Sequence, residues 1–210
     1  MIAIVDYGLG NLFSVAKAFE MLGAEARITG SPDEIRRADR VVLPGVGAFG
    51  DGMDHLRANG LDAALHDAVI RDQKPFLGIC LGLQLLADVG EEYGEHRGLG
   101  WIPGRVRKLN VESVGLKVPH IGWNDVAVSR ENPLFRGLKA NADFYFVHSY
   151  MLDCAEPINV VATASYGEAV TAAILRGNIF ATQFHPEKSQ DNGLKLLENF
   201  IAWTPSATVC

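Results

Sequence analysis

Residues 78–84 of the chain read Gly78-Ile79-Cys80-Leu81-Gly82-Leu83-Gln84 and follow the apolar run Pro75-Phe76-Leu77. This stretch has the form of a nucleophile elbow, G-x-S-x-G, in which a strand turns sharply into a helix, with cysteine in place of serine. The two glycines leave out Cβ atoms where backbone segments crowd. A thiol at the start of a helix is also favoured as thiolate by the helix dipole. The motif therefore predicts a nucleophilic Cys80 at the carboxyl edge of a sheet.

A second motif, Gln183-Phe184-His185-Pro186-Glu187, lies far downstream. His185 ends an apolar run, and Pro186 keeps it extended rather than helical. Glu187 could orient the imidazole and stabilise its charged form, although this residue taken alone would be interpreted as a solvated charge. We expect His185 to deprotonate Cys80 and later to protonate a leaving amine. The two motifs together predict acyl transfer through a thioester.

The segment Pro44-Gly45-Val46-Gly47 closes a predicted strand at the same sheet edge. Backbone N–H groups there, together with that of Leu81, could form an oxyanion hole. The alternative is an ordinary glycine turn, and the G-x-G pattern lacks the third glycine of a phosphate-binding fingerprint.

The composition is typical of a globular protein with one substantial core, since 48% of the 210 residues are hydrophobic and 21% are charged. A formal charge of −6 argues against nucleic acid as the main partner. Three cysteines, Cys80, Cys154 and Cys210, have neither disulfide nor zinc-site spacing, and we interpret the last two as structural or incidental. Without a signal-peptide pattern or a membrane-spanning run, we expect a cytoplasmic protein with reduced thiols and no membrane contact.

The first half of the chain alternates predicted strands and helices. We expect strands at 2–5, 41–43 and 76–79, a helix ending at Gly23, a helix capped by Ser31 and a long helix over 54–71. Such alternation predicts an α/β fold with a central, mostly parallel, mixed sheet and helices on both faces.

The second half is rich in strands, which we expect at 101–109, 118–128, 144–150, 160–166, 169–175 and 179–183. The tripeptide Arg176-Gly177-Asn178 predicts a tight hairpin between the last two strands. A closing helix carries Leu194, Leu197 and Ile201. In the absence of a linker or a repeat, we predict one domain over residues 1–210.

The elbow and the His-Pro-Glu motif resemble the signature pair of the class I (triad) glutamine amidotransferases. Within that family, the chain is similar to the glutaminase subunits of imidazole glycerol phosphate synthases. The narrower resemblance is carried by segments spread over most of the chain, namely 7–11 (YGLGN), 44–49 (PGVGAF), 118–124 (VPHIGWN), 144–150 (FYFVHSY) and 184–189 (FHPEKS). It implies a flavodoxin-like amidotransferase fold.

The resemblance also implies a reaction and a partner. Glutamine would give glutamate and ammonia, and the ammonia would pass to a (β/α)8 barrel cyclase subunit in a heterodimer. The complex, with hydrolase and lyase activities, would make imidazole glycerol phosphate and aminoimidazole carboxamide ribotide in L-histidine biosynthesis. No cofactor or metal is implied. Because the PGVG peptide groups could point the wrong way until the partner binds, we expect little glutaminase activity from the isolated chain.

Roles are implied for residues that match the family's motifs. Cys80, His185 and Glu187 would form the triad. The oxyanion and substrate-binding groups would be Gly45, Val46, Leu81, Gln84, Glu92, Ser149 and Tyr150. Asn11, Trp123 and Lys188 would lie towards the cyclase.

Two other functions remain open on the sequence. The chain could be a glutaminase for another amination pathway, which a different partner would reveal. It could also be a non-catalytic binding module with an inert thiol, in which case a glutamine-analogue electrophile would leave Cys80 unmodified.

Overall fold

An eight-stranded mixed sheet forms the centre of the protein in the computed structural model, which describes residues 1–205. The interpretation of Cys210 therefore lies outside the described residues. The strands are β1 (Ile2–Val5), β2 (Ala26–Thr29), β3 (Arg40–Gly45), β4 (Phe76–Cys80), β5 (Ala87–Gly90), β6 (His96–Arg97), β7 (Ile102–Lys108), β8 (His120–Asp125), β9 (Ala127–Val128), β10 (Asp143–His148), β11 (Tyr150–Cys154), β12 (Val160–Tyr166), β13 (Glu168–Arg176) and β14 (Ile179–Thr182). The helices are α1 (Leu12–Met21), α2 (Pro32–Arg37), α3 (Phe49–Ala58), α4 (Leu61–Leu65), α5 (Leu81–Gln84) and α6 (Gln190–Ala202).

The strand order in the central sheet is β2-β1-β3-β4-β14-β13-β12-β9. The strands from β2 to β14 run parallel, and β13, β12 and β9 continue the sheet antiparallel. Strands β10 and β8 form a separate pair, and β11-β7-β5-β6 forms a third sheet. The predicted mixed α/β sheet with a β-rich second half is confirmed.

Helices cover both faces of the central sheet because alternate strand residues point to opposite sides. In β1, Ala3 and Val5 belong to the core that also contains buried residues of α2, α3 and α4. Ile2 and Ile4 belong to the core on the other face, which is packed by α1 and α6. Both cores extend to the carboxyl edge of the parallel strands, where the two sequence motifs meet.

Several predicted boundaries needed correction. The long helix predicted over 54–71 is broken, since α3 ends before Gly60, whose φ of 63° suits glycine, and α4 continues into a π-helical stretch at His66–Arg71. The strand predicted over 118–128 divides into β8 and β9, and the strand predicted over 144–150 ends at His148, so that Tyr150 starts β11. Strand β2 was not predicted, because this edge strand of four residues buries little apolar surface.

Two other local predictions, the helix cap at Ser31 and the hairpin at Gly177, are confirmed. The Ser31 side chain accepts a hydrogen bond from the Glu34 N–H at the start of α2. Arg176 pairs with Ile179, and Gly177 between them has a φ of 58°, so a two-residue loop joins β13 to β14. Within residues 1–205, the helices are all too short or too polar to cross a lipid bilayer.

Candidate active site

Cys80 lies at the turn between β4 and α5 with an unusual backbone conformation, φ 55° and ψ −107°. A non-glycine residue held there stores about 1–3 kcal/mol of strain, which is typical of a nucleophile elbow. Gly78 and Gly82 make the turn possible: a Cβ on Gly78 would lie 2.7 Å from the Gly82 carbonyl oxygen, and a Cβ on Gly82 would overlap the Leu43 carbonyl oxygen. The predicted crowding is confirmed. Helix α5 has only four residues, so it provides a smaller helix dipole at Cys80 than we expected.

Parallel pairing brings the three predicted motifs to one edge. Gly45 at the end of β3 is in register with Cys80 at the end of β4. On the other side of β4, Ile79 is in register with Thr182, which ends β14 and leads into His185. His185 is far from Cys80 in sequence, but it reaches the elbow because β14, the strand that precedes it, lies beside β4.

His185 and Glu187 form a buried pair. The His185 Nδ1 lies 2.8 Å from the Glu187 Oε1, and their side chains are 2% and 1% exposed. Burial disfavours a charged imidazole, but hydrogen bonds and negative charges at Cys80 and Glu187 outweigh burial and raise the pKa of His185 to about 10. The effect of Cys80 on the pKa of His185 indicates that the two side chains lie close together. The other ring nitrogen of His185, Nε2, nevertheless has no hydrogen-bond partner within residues 1–205.

A cavity of about 420 Å³ opens over the elbow. Cys80 and His185 both line it, as do six other predicted site residues, Val46, Leu81, Gln84, Glu92, Ser149 and Tyr150. Gly45 is in register with Cys80 on the neighbouring strand, and Glu187 contacts His185 through its Nδ1. The structure therefore places the predicted catalytic and substrate-binding residues together.

The cavity walls are tied to one another by side-chain hydrogen bonds. The Gln84 Nε2 donates to the Tyr150 carbonyl oxygen at 2.8 Å and to the Gln183 Oε1 at 3.0 Å. The Glu92 Oε2 accepts from the Phe49 N–H at 3.0 Å, which fixes the carboxylate against the start of α3. The lining of the cavity therefore includes carboxamide, carboxylate and backbone polar groups.

Sequence reasoning assigned no role to two buried residues beside Cys80. The Gln183 side chain is fully buried and its Nε2 lies 3.7 Å from the Cys80 Sγ. Tyr7 is 2% exposed, and a Cβ on Gly45 would overlap its hydroxyl oxygen. Burial, together with the charge of Cys80, raises the pKa of Tyr7. A glutamine two positions before the histidine, directly after a mostly apolar run, was the available sequence signal for Gln183.

The residues predicted to face a partner lie near the same edge. Trp123 on β8 is 45% exposed, and its ring meets that of Tyr145 at 6.3 Å. The Lys188 Nζ lies 5.8 Å from the centre of the Tyr145 ring. Asn11 precedes α1, which packs against the Pro186–Lys188 turn. We call Asn11, Trp123, Tyr145 and Lys188 the docking face.

The part of the chain that the structure describes contains no candidate metal-binding site. No group of three or more His, Cys, Asp or Glu side chains is placed there to hold a metal ion.

Comparison with known proteins identifies the family. The family model for class-I glutamine amidotransferases matches residues 3–203. The "Imidazole glycerol phosphate synthase subunit HisH" of Syntrophotalea carbinolica is 51% identical over 95% of this chain and 98% of its own length. The protein of the same name from Moorella thermoacetica is 50% identical over 95% of this chain and 93% of its own length.

Solved structures show the same fold at low sequence identity. A crystal structure described as a glutamine amidotransferase superposes with a TM-score of 0.73 at 22% identity, covering 95% of this chain and 99% of its own. The structure of PurLQS from Thermotoga maritima gives a TM-score of 0.71 at 20% identity, covering 96% and 97%.

Proposed function

Because this chain belongs to the class-I glutamine amidotransferase family, we propose that it is the subunit of an imidazole glycerol phosphate synthase that hydrolyses L-glutamine to L-glutamate and ammonia. The observation that carries the proposal is the cavity in which strained Cys80 and Glu187-paired His185 meet. Residues 1–210 form one amidotransferase domain in this proposal. The enzyme acts in L-histidine biosynthesis in the cytoplasm, where free thiols such as Cys80 stay reduced.

The first half of the reaction forms a thioester. The thiolate of Cys80 attacks the carboxamide carbon of glutamine, making a carbon–sulfur bond. His185, protonated because its pKa is raised, gives its Nε2 proton to the leaving nitrogen as the carbon–nitrogen bond breaks. Glu187 accepts the Nδ1–H and stabilises the imidazolium. The products of this step are ammonia and a glutamyl thioester.

The second half hydrolyses the thioester. Neutral His185 takes a proton from water, whose oxygen attacks the thioester carbon. The carbon–sulfur bond breaks and the new carboxylic acid gives its proton to water. Glutamate leaves, and Cys80 is again a thiolate beside an imidazolium. In both halves, the N–H groups of Leu81 and Val46 stabilise the negative oxygen of the tetrahedral intermediate.

The cavity provides complementary groups for the rest of the substrate. The carboxylate of Glu92 suits the α-ammonium group of glutamine. The carboxamide of Gln84 and the backbone at Ser149 and Tyr150 suit its polar ends. These residues line the cavity together with Cys80. Buried polar groups of this kind exclude analogues that cannot pair with them.

We further propose that the docking face binds a barrel-shaped cyclase subunit as a heterodimer and delivers ammonia to it. Gly47, with a φ of 101°, borders the cavity next to Val46 and gives the oxyanion strand conformational freedom. In our proposal, binding of the cyclase and its nucleotide turns the Val46 peptide into its active orientation. The isolated chain therefore hydrolyses glutamine slowly.

Cys80→Ala tests the proposal. In the complex with the cyclase, we expect this variant to keep ammonia-dependent synthesis and to lose about 10⁴-fold or more of glutamine-dependent synthesis, since the nucleophile is gone. Cys154→Ala is the matched control, because Cys154 is a free cysteine that does not line the cavity. It should keep both activities.

Glutamine-dependent synthesis by the Cys80→Ala complex would refute the catalytic assignment. A productive partner other than the cyclase would refute the pathway. Equal glutamine hydrolysis by the wild-type chain alone and in the complex would refute the proposed control by the partner.

A further inference from the structure

Two buried histidines that the proposed reaction does not use face each other beside the cavity. His120 on β8 and His148 on β10 are paired in register, and they are 2% and 6% exposed. The His120 Nδ1 lies 3.0 Å from the His148 Nε2. A buried imidazole pair can share a hydrogen bond only when one nitrogen donates and the other accepts.

The surrounding acceptors permit one consistent proton arrangement. The His148 Nδ1 lies 2.9 Å from the Tyr150 carbonyl oxygen, so this nitrogen must donate. The Nε2 of a neutral His148 must then accept, and the His120 Nδ1 must donate to it. The His120 Nε2 accepts from the Asn124 Nδ2 at 3.2 Å, whose second hydrogen goes to the Ser165 carbonyl oxygen at 2.9 Å.

The environment favours neutral rings. His120 stacks on Phe146 and Tyr166, with ring centres 4.8 and 4.0 Å away. Burial lowers the pKa of both His120 and His148 to about 4, and neighbouring His185 adds to the effect at His148. A second proton on His148 would also place two donors face to face in the pair.

The hydrogen bonds that start at His120 and pass through His148 end at the Tyr150 carbonyl group in the cavity wall. The Tyr150 carbonyl oxygen accepts both from the His148 Nδ1 and from the Gln84 Nε2. With both lone pairs occupied, the Tyr150 peptide group cannot rotate without breaking these two hydrogen bonds. His148, Gln84 and Tyr150 all line the cavity that contains Cys80.

We propose that His120 and His148 are positioning residues, both neutral with the proton on Nδ1, whose directional hydrogen bonds hold the Tyr150 carbonyl in the wall of the glutamine site. The assignment of that wall to glutamine rests on the proposed function. The proton arrangement itself does not, and it can be tested separately.

Long-range proton–nitrogen NMR of the complete chain, labelled with ¹⁵N-histidine, reads the tautomer of each ring. At neutral pH we expect His120 and His148 to be neutral and protonated on Nδ1. In His120→Phe, which keeps an aromatic ring in the stack but removes the donor, His148 should keep its Nδ1 proton, because the Tyr150 carbonyl oxygen still accepts it. The ¹⁵N resonance of the His148 Nε2 should shift, because this nitrogen loses the hydrogen bond from His120. An Nε2–H or charged form of either ring in the wild type, or an unchanged His148 Nε2 resonance in the variant, would overturn the proposal.

Steady-state kinetics of the complex test the positioning role. His148→Asn places an amide N–H at the position of Nδ1, whereas His148→Leu places none. We expect the leucine variant to raise the KM for glutamine about tenfold, the equivalent of one hydrogen bond, and the asparagine variant to stay within about threefold. In both variants kcat should change less than KM.

Equal KM values for the two variants would overturn the positioning role. If the leucine variant fails to fold, the spectra of the wild type and of His120→Phe still decide the proton arrangement. If the wild-type complex does not use glutamine at all, the proposed function fails, and the spectra remain a valid test of the histidine pair.

Discussion

His185 makes one well-formed hydrogen bond within the proposed triad of Cys80, His185 and Glu187. Its Nδ1 lies 2.8 Å from the Glu187 Oε1 in a buried pair, while its Nε2 has no hydrogen-bond partner within residues 1–205. Catalytic hydrogen bonds are commonly loose before substrate binds. In the proposed mechanism, the carboxylate orients the ring in advance, and the contact with sulfur tightens during the reaction.

Glu187→Gln tests this division of roles. Glutamine at 187 can still accept the Nδ1–H but lacks the charge that raises the pKa of His185. We expect kcat for glutamine hydrolysis in the complex to fall about 10²- to 10⁴-fold, with KM nearly unchanged. Glu131→Gln, an exposed residue outside the cavity, should keep wild-type kcat. A wild-type kcat in Glu187→Gln would show that the charge is not required.

At the scale of elements, the elbow depends on close backbone contact between β3 and the β4–α5 turn. Gly82 sits against the Leu43 carbonyl, and Gly78 sits against Gly82 itself. This contact holds the end of β3, which carries the Gly45–Val46 peptide, next to Cys80. The glycines therefore serve the fold and the site at once.

Gly82→Ala should be severely destabilising, because its Cβ meets backbone atoms that cannot move aside. We expect the free energy of unfolding in urea to fall by at least about 3 kcal/mol. The control is Gly52→Ala in α3, where the atoms nearest to the new Cβ would be the side-chain tips of Leu81 and Leu85 at 3.1–3.3 Å. Alanine is also favoured in a helix, so the control should change stability by less than about 1 kcal/mol. Similar losses in both variants would argue against the backbone contact.

At the scale of the whole molecule, buried histidines give stability an unusual dependence on pH. Burial lowers the pKa of His120 and His148 to about 4, whereas the contacts with Cys80 and Glu187 raise that of His185 to about 10. The stabilisation from neutral His120 and His148 is present above the unfolded pKa of about 6.5 and is lost as pH falls towards 4. The stabilisation from charged His185 is present below about 6.5 and is lost as pH rises through 10.

We therefore expect the free energy of unfolding to fall as the pH is lowered from about 6.5 to 4.5. The slope against pH should correspond to the uptake of up to about two protons on unfolding. Paired carboxylates such as Glu168, whose pKa is lowered, lose their contribution further into acid. Denaturant unfolding at stepped pH measures the slope. His148→Asn should reduce it by up to about one proton, and an identical slope in the variant would contradict a buried neutral His148.

The sequence by itself determined the alternation of strands and helices, the elbow at Cys80 and the His185-Pro186-Glu187 motif. These features are local, since glycine positions, apolar runs and proline restrict the backbone within a few residues. The same local reasoning failed at short edge strands such as β2, where little apolar surface is buried.

Only the tertiary structure decided which distant groups meet. Placing β14 beside β4 brings His185 to Cys80, and pairing β8 with β10 brings His120 to His148. The contacts of Gln183 with Cys80 and of Tyr7 with Gly45 likewise join segments that are far apart in sequence. Strand order and register depend on the packing of the whole chain, because each pairing is stabilised by cores that no single segment contains.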